Sequence, residues 1–193
     1  MNMIMKDIKT SILATLGLAV FCGIYAILVW IPAQVLWSHQ ANGSLIQDGD
    51  TVLGSSLIGQ GFSGEMYFHP RPSDAGNGYD AQNSGGSNLG PTSQKLIDGV
   101  KQNVAAYRSD NGLSATADVP ADAVTASASG LDPHISPDNA LLQAARVAKA
   151  RSMDVERVKA MIQAHTTLPT LGFIGDPVVN VLELNLDLDG KLK

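Results

Sequence analysis

The chain has 193 residues, with 13 basic and 18 acidic residues, a formal net charge of −5 and a single cysteine, Cys22. An acidic balance without a basic stripe argues against a nucleic-acid partner. One cysteine leaves no disulfide framework and, lying as it does in an apolar run, no thiolate chemistry for the rest of the chain.

From Ser11 to Trp37 there is no charged residue, and no basic residue lies between Lys9 and Arg71. A helix over that run measures about 40 Å at about 1.5 Å per residue, against a hydrocarbon core of about 30 Å. Tyr25, Trp30 and Trp37 fall in its second half, where amphipathic rings favour the headgroup level. The run is too long for the apolar region of a cleaved signal and offers no small-x-small site. A buried helix of a soluble core would carry polar residues along one face. The reading is a membrane anchor: residues 1–10 form a short cytoplasmic N-terminus, 11–37 a transmembrane helix, 38–50 a linker and 51–193 one soluble α+β domain. Lys6 and Lys9 precede the span, whereas Asp48, Asp50 and Glu65 are the only charges between it and Arg71. Basic residues prefer the cytoplasmic flank, so the soluble domain is expected outside.

Asn42-Gly43 and Asp48-Gly49 are turn signals. Val52 to Gln60 and Glu65 to His69 read as short strands, the second stopped by Pro70-Arg71-Pro72. Ser84, Gly85, Gly86, Ser87 and Asn88 form a glycine-rich loop. Such a loop either cradles an anion with its backbone N–H groups or is an ordinary surface turn. No Gly-Lys-Ser/Thr of a P-loop accompanies it. A helix opens at Pro91-Thr92, with Leu96, Ile97, Val100, Val104 and Tyr107 at helical spacing, and ends at Asp110-Asn111-Gly112.

The segment from Thr125 to Pro137 gathers Ser127, Ser129, Gly130, Asp132, His134 and Ser136. A nucleophile, a base and an orienter can be read there, but the G-x-S-x-G elbow is absent. Small hydroxyl residues also shape turns, and Ser136-Pro137 is a helix start with Ser as N-cap and Pro at N1. The following helix, Pro137 to about Arg151, places Leu141, Leu142, Ala145, Val147 and Ala148 as its apolar positions. Asp154 caps another helix bearing Val155, Val158, Met161, Ile162 and, at its end, His165, which answers the helix dipole. Arg146, Lys149, Arg151 and Arg157 form a locally basic patch, either a solvated face or a site for an acidic partner. Leu168 to Pro177 is a connection. From Leu182 to Leu188, Leu alternates with Glu, Asn and Asp, which predicts a strand with one buried face. The histidines are scattered and no His-x-x-x-His spacing occurs, so no metal site is indicated. The expected fold is α+β, a single N-terminal transmembrane helix followed by one soluble domain with a small sheet and about three helices.

Several stretches resemble the C subunit (KdpC) family of the bacterial Kdp potassium-transporting ATPase. They are Gly54-Ser-Ser-Leu-Ile-Gly-Gln60, Tyr67-Phe-His-Pro-Arg-Pro-Ser73, Ser84-Gly-Gly-Ser-Asn-Leu-Gly-Pro91, the segment 125–137, Arg146-Val-Ala148 and Val179-Asn-Val-Leu182. The resemblance spans the chain and implies a non-catalytic subunit of a high-affinity, ATP-driven potassium uptake pump of the bacterial inner membrane. Its implied roles are assembly and stabilisation, and action as a catalytic chaperone that raises the ATP affinity of the ATPase subunit. The implied partners are the channel-like K⁺-translocating subunit, the P-type ATPase subunit, a small accessory subunit and the lipid bilayer, with K⁺ as the transported ion and no tightly held cofactor. It also implies ATP contact through Ser84 to Asn88, and subunit contact through Ser127, Ser129, Gly130, Asp132, His134, Ser136 and Arg146. The charge reading conflicts with ATP contact, because it places that loop outside, away from cytoplasmic nucleotide. From a different class, a membrane-anchored serine hydrolase using Ser127 or Ser129 with His134 remains open.

Overall fold

A computed structural model describes residues 2–192 and divides the chain into two compact units, one ending at Leu45 and the other beginning at Ile46. In the first unit, α1 (Asn2–Leu36) is a single helix with Pro32 inside it. Residues Met3–Leu36 are long and apolar enough to cross a membrane, and none of the apolar window is buried. A short helix, α2 (Ser38–Ala41), follows, and the Asn42-Gly43 turn closes it with Gly43 at φ +89°.

Strands β1 (Leu45–Asp48) and β2 (Thr51–Ser55) form a two-stranded sheet across Gly49, whose φ of +59° suits glycine. Helix α3 (Gln94–Asp110) and a single turn, α4 (Ala121–Val124), precede β3 (His134–Ile135). The pair α5 (Pro137–Arg151) and α6 (Val155–Ala164) then packs together, followed by β4 (Thr166–Thr167), β5 (Val178–Asn180) and α7 (Val181–Leu188). The second sheet is antiparallel in the order β3-β5-β4, with His134 opposite Asn180 and Thr166 opposite Val179. A mixed α+β domain with small sheets is therefore what the chain builds.

Two of the helix starts read from the sequence are present as read, whereas the helix expected to open at Pro91-Thr92 begins at Gln94. Ser136 accepts from the Asn139 N–H at 3.1 Å with Pro137 at the first position, and Asp154 accepts from the Glu156 N–H at 3.2 Å. Three expectations are corrected. The alternating run 182–188 is not a strand but helix α7. Asn180 caps it by accepting from the Glu183 N–H at 3.1 Å, and Val181, Leu182, Leu184, Asn185 and Leu186 are all buried. A helix enclosed on most sides needs apolar residues around its circumference, and the alternation supplies them.

Glu65 to His69 is not a strand: it opens in a turn, where the Tyr67 N–H donates to the Gly64 carbonyl at 3.1 Å, and side chains take the backbone groups that follow. Asn185 accepts from the Phe68 N–H at 2.8 Å and donates to the Phe68 carbonyl at 3.0 Å. Gln143 does the same for His69, at 2.7 and 3.0 Å. On α5, finally, the inward face carries Asn139, Ala140, Gln143, Ala144, Val147 and Ala148, while Leu141 and Ala145 are exposed. The amides needed to hold residues 68 and 69 occupy places that pattern reasoning gives to leucine. Phe68, Ile135, Val147, Val158, Val179 and Leu184 fill the centre of the core.

Candidate functional site

The segment 125–137, which contains β3, meets loops that arrive from distant parts of the sequence. Its tight turn, Ser127 to Gly130, is closed by the Gly130 N–H donating to the Ser127 carbonyl at 3.2 Å. Gly130 sits at φ +67°, where a Cβ would come within 2.7 Å of both the Ala75 nitrogen and the Gly85 oxygen. Only glycine fits there, on conformational and steric grounds alike.

The glycine-rich loop lies on this turn. The Gly85 N–H and the Ser84 hydroxyl both donate to the Ser129 carbonyl, each at 2.9 Å. A Cβ on Gly86 would stand 2.9 Å from the Ala128 carbonyl. Gly86 thus serves the close approach of two backbones, and the Gly85 N–H, which could meet a phosphate, is already committed to Ser129. Ser87 and Asn88 are exposed, with Asn88 at φ +51°.

On the other side stands Arg71. Its guanidinium donates to the Asp132 carboxylate at 2.9 Å and to the carbonyls of Thr125 and Ala126, each at 3.4 Å. Ser73 donates to the Gly130 carbonyl at 2.6 Å and accepts from the Ala75 and Tyr79 N–H groups. Tyr79 closes the circuit by donating its hydroxyl to the Arg71 carbonyl. Burial raises the Tyr79 phenol well above its usual range, so it stays a donor at any physiological pH. Asp132 also accepts from the His134 N–H at 3.0 Å, and the His134 ring lies 3.4 Å from the same carboxylate. The hydrogen bond from His134, together with Arg71, holds the Asp132 carboxyl below the ordinary carboxylate range.

Two more stretches join. The Gly59 N–H donates to the Leu131 carbonyl at 2.8 Å, and a Cβ at Gly59 would be 2.7 Å from the Asp132 oxygen. Val181 donates to the Pro133 carbonyl at 3.0 Å, while Asn180 reaches the Ser56 carbonyl at 2.8 Å. Ser136 is gripped by Asp122, which accepts from its N–H at 2.7 Å, from its hydroxyl at 2.9 Å and from Asn139 at 2.9 Å.

The structure thus brings Ser127, Ser129, Gly130, Asp132 and His134 together with Ser84, Gly85 and Gly86. It does not assemble a triad. Ser127 and Ser129 face each other at 3.4 Å, and Ser129 accepts from the Leu131 N–H. Among the described hydrogen bonds none joins either serine to His134.

Arg146 belongs to a second cluster. Its guanidinium donates to the Glu65 and Tyr67 carbonyls at 2.6 and 3.0 Å, to Asn111 at 3.0 Å and to Gln143 at 2.8 Å. Arg151 donates to the Met66 and Leu188 carbonyls and pairs with Asp189 at 2.7 Å. These two arginines are therefore neither a solvated face nor a free site for an acidic partner: they fasten residues 65–67 to α5. Lys149 and Arg157 are exposed. Burial, reinforced by the Arg146 charge, pushes the His69 imidazole below its ordinary value. His165 caps α6 and meets Asp187 at 2.9 Å, a partner that spacing alone does not reveal. Sequence reasoning missed Gln143, Asn185, Asp122 and Arg71, and the only signal for them was a polar residue at a helical position expected to be buried, or one beside prolines.

The profile of the family described as KdpC, the K⁺-transporting ATPase c chain, matches residues 8–190. The potassium-transporting ATPase KdpC subunit of Koribacter versatilis is 51% identical over 187 residues, covering 96% of this chain and 95% of that one. That of Rhodospirillum rubrum is 51% identical over 186 residues, covering 96% of each. That of Mycobacterium tuberculosis is 52% identical over 166 residues, covering 86% of this chain and 88% of that one. The chain belongs to the KdpC family.

Proposed function

We propose that this KdpC-family chain is the single-span, non-catalytic subunit of a high-affinity, ATP-driven potassium uptake pump, and that its soluble domain assembles and stabilises that complex from the non-cytoplasmic side. One observation carries the reading. The stretches around Gly59, Arg71, Gly85 and Val181 all converge on residues 127–133, and their polar groups are spent on one another. A site that turns over substrate needs groups aimed at the reacting atoms. Here they are aimed at backbone, so the constellation shapes a rigid domain.

Any effect on the ATP affinity of the ATPase subunit then acts through the assembled complex, without contact at Ser84 to Asn88. Lys6 and Lys9 support a cytoplasmic N-terminus for α1. The remainder of the chain past Trp37 has 11 basic and 17 acidic residues, a formal charge of −6. Beside a cation entrance that charge modestly raises local K⁺, within a screening length of about 8 Å at physiological salt. The partners proposed are the channel-like, P-type ATPase and small accessory subunits.

The test is co-purification of tagged chain with the other pump subunits. Deleting residues 11–37 abolishes incorporation, and the isolated full chain hydrolyses no ATP. Photolabelling of the isolated chain by a reactive ATP analogue, lost in Gly85→Val, contradicts the proposal. So does a serine-directed adduct lost in His134→Ala.

A further inference from the structure

The connection between β4 and β5 runs from Leu168 to Pro177, and no charged side chain lies between His165 and Asp176. Leu168 is 73% exposed, Leu171 78%, Phe173 77% and Ile174 53%. Outside the first helix, no other stretch of the described residues places three large apolar side chains each more than 70% in the open. The loop is not slack. Thr170 and Ile174 exchange both backbone hydrogen bonds at 3.0 Å, the Gly172 N–H donates to the Pro169 carbonyl at 2.9 Å, and Phe173 donates to the Thr170 carbonyl at 3.3 Å. Leu171 at φ +57° and Gly172 at φ +82° make the reversal that throws the apolar side chains outward.

A tip in water can satisfy its backbone with solvent, whereas one entering a non-polar phase must satisfy it internally. This tip bonds the N–H groups of Thr170, Gly172, Phe173 and Ile174 internally, has no charge to desolvate and exposes an apolar end. The chain also limits its surroundings. α1 ends at Leu36 and the domain begins at Ile46, a connection whose extended reach is about 30–35 Å. A domain on so short a tether stays beside the bilayer that α1 crosses.

We propose that the 168–174 hairpin is a membrane-dipping element, whose Leu171, Phe173 and Ile174 enter the interfacial region of the lipid leaflet next to the soluble domain. It acts as a second, weak attachment that restricts the domain's swing about its tether. With no Lys or Arg in the loop, the attachment is driven by apolar burial and is indifferent to anionic lipid. It depends on α1 lying in a bilayer, but not on which side the domain occupies nor on its role in the pump.

The full-length chain, in a Cys22→Ala background with Phe173→Cys carrying an environment-sensitive fluorophore, is reconstituted into phosphatidylcholine vesicles and into vesicles containing phosphatidylglycerol. Gln102→Cys, on the exposed side of α3, is the reference site. The expected result is blue-shifted emission at 173, quenched by lipids spin-labelled near the headgroup. It is equal in both lipid mixtures, absent at 102, and lost when Leu171→Asp is added. Unshifted, unquenched emission at 173 overturns the proposal. So does a blue shift that appears only on assembly with the other pump subunits and escapes lipid quenching, since the loop would then occupy a protein socket. Because every side chain altered is exposed, circular dichroism of each variant matches that of the parent.

Discussion

Gln143 offers the sharpest test of the packing scheme, because leucine would be the ordinary residue at its place on α5. It is 1% exposed, and four hydrogen bonds end on its amide. They come from the His69 N–H and Arg146, and go to the His69 carbonyl and Asn139. Replacement by Leu, of similar volume, removes all four. At about 0.5–1.5 kcal/mol net for each bond, the loss is about 2–6 kcal/mol. Apolar burial of the new side chain returns about 1–2 kcal/mol. The expected net destabilisation spans about 0–5 kcal/mol and centres on about 2–3 kcal/mol, or roughly 30- to 150-fold in the opening equilibrium at about 1.4 kcal/mol per decade. Hydrogen exchange of the full chain in nanodiscs, followed by mass spectrometry on peptides covering Phe68 and His69, reads this directly, since those amides are bonded only through Asn185 and Gln143. Leu141→Gln on the exposed side of the same helix shifts stability by less than about 0.5 kcal/mol. If Gln143→Leu exchanges like the parent while Leu141→Gln is strongly destabilised, α5 faces the other way and the scheme is wrong.

Three further outcomes follow from the same contacts. Gly130→Ala meets Ala75 and Gly85 backbone within 2.7 Å at a φ of +67°, so it costs more than the roughly 1 kcal/mol of a strained φ alone, and urea unfolding shows it. Asn180→Ala removes the cap of α7 and the bond to Ser56, lowering stability by about 1–2 kcal/mol, with the loss of protection centred on residues 181–184. Acid weakens the domain in two stages. His69 has a folded pKa below its unfolded value, so the stability it contributes is full above about pH 6.5 and falls as pH drops towards the folded pKa. Asp132 is depressed likewise, so its contribution is full above about pH 4 and is lost as pH falls through its folded pKa. His69→Gln removes the upper stage and leaves the lower one, as urea midpoints measured against pH register.

What could be read in advance was what local chemistry dictates. The uncharged run after Lys9 has one reading, and Ser136-Pro137 and Asp154 announce helices whose caps are present in the fold. The errors arose where tertiary partners overrule local pattern. Leu182 to Leu188 alternates faultlessly, yet it folds as a helix because Asn180 caps it and neighbours surround it. Glu65 to His69 has the composition of a strand but begins in a turn, and its backbone partners are amide and guanidinium side chains from far along the chain. Nothing near Gln143 or Asn185 in sequence signals that duty. The serines and histidine of 125–137 look like chemistry on paper because hydroxyls that shape turns and hydroxyls that attack carbonyls are the same residue types. Distances to Gly59, Arg71 and Gly85 separate the two.

The central claim is that the Ser84–Asn88 loop is a structural clasp on a domain outside the cytoplasm, and accessibility at this loop tests it most directly. In a Cys22→Ala background, Ser87→Cys on the exposed part of the loop is challenged with a membrane-impermeant maleimide in intact cells and again after lysis. The account predicts labelling in intact cells, which separates the loop from cytoplasmic ATP and leaves assembly as its role. Labelling only after lysis contradicts it, and places the loop on the side where nucleotide is bound.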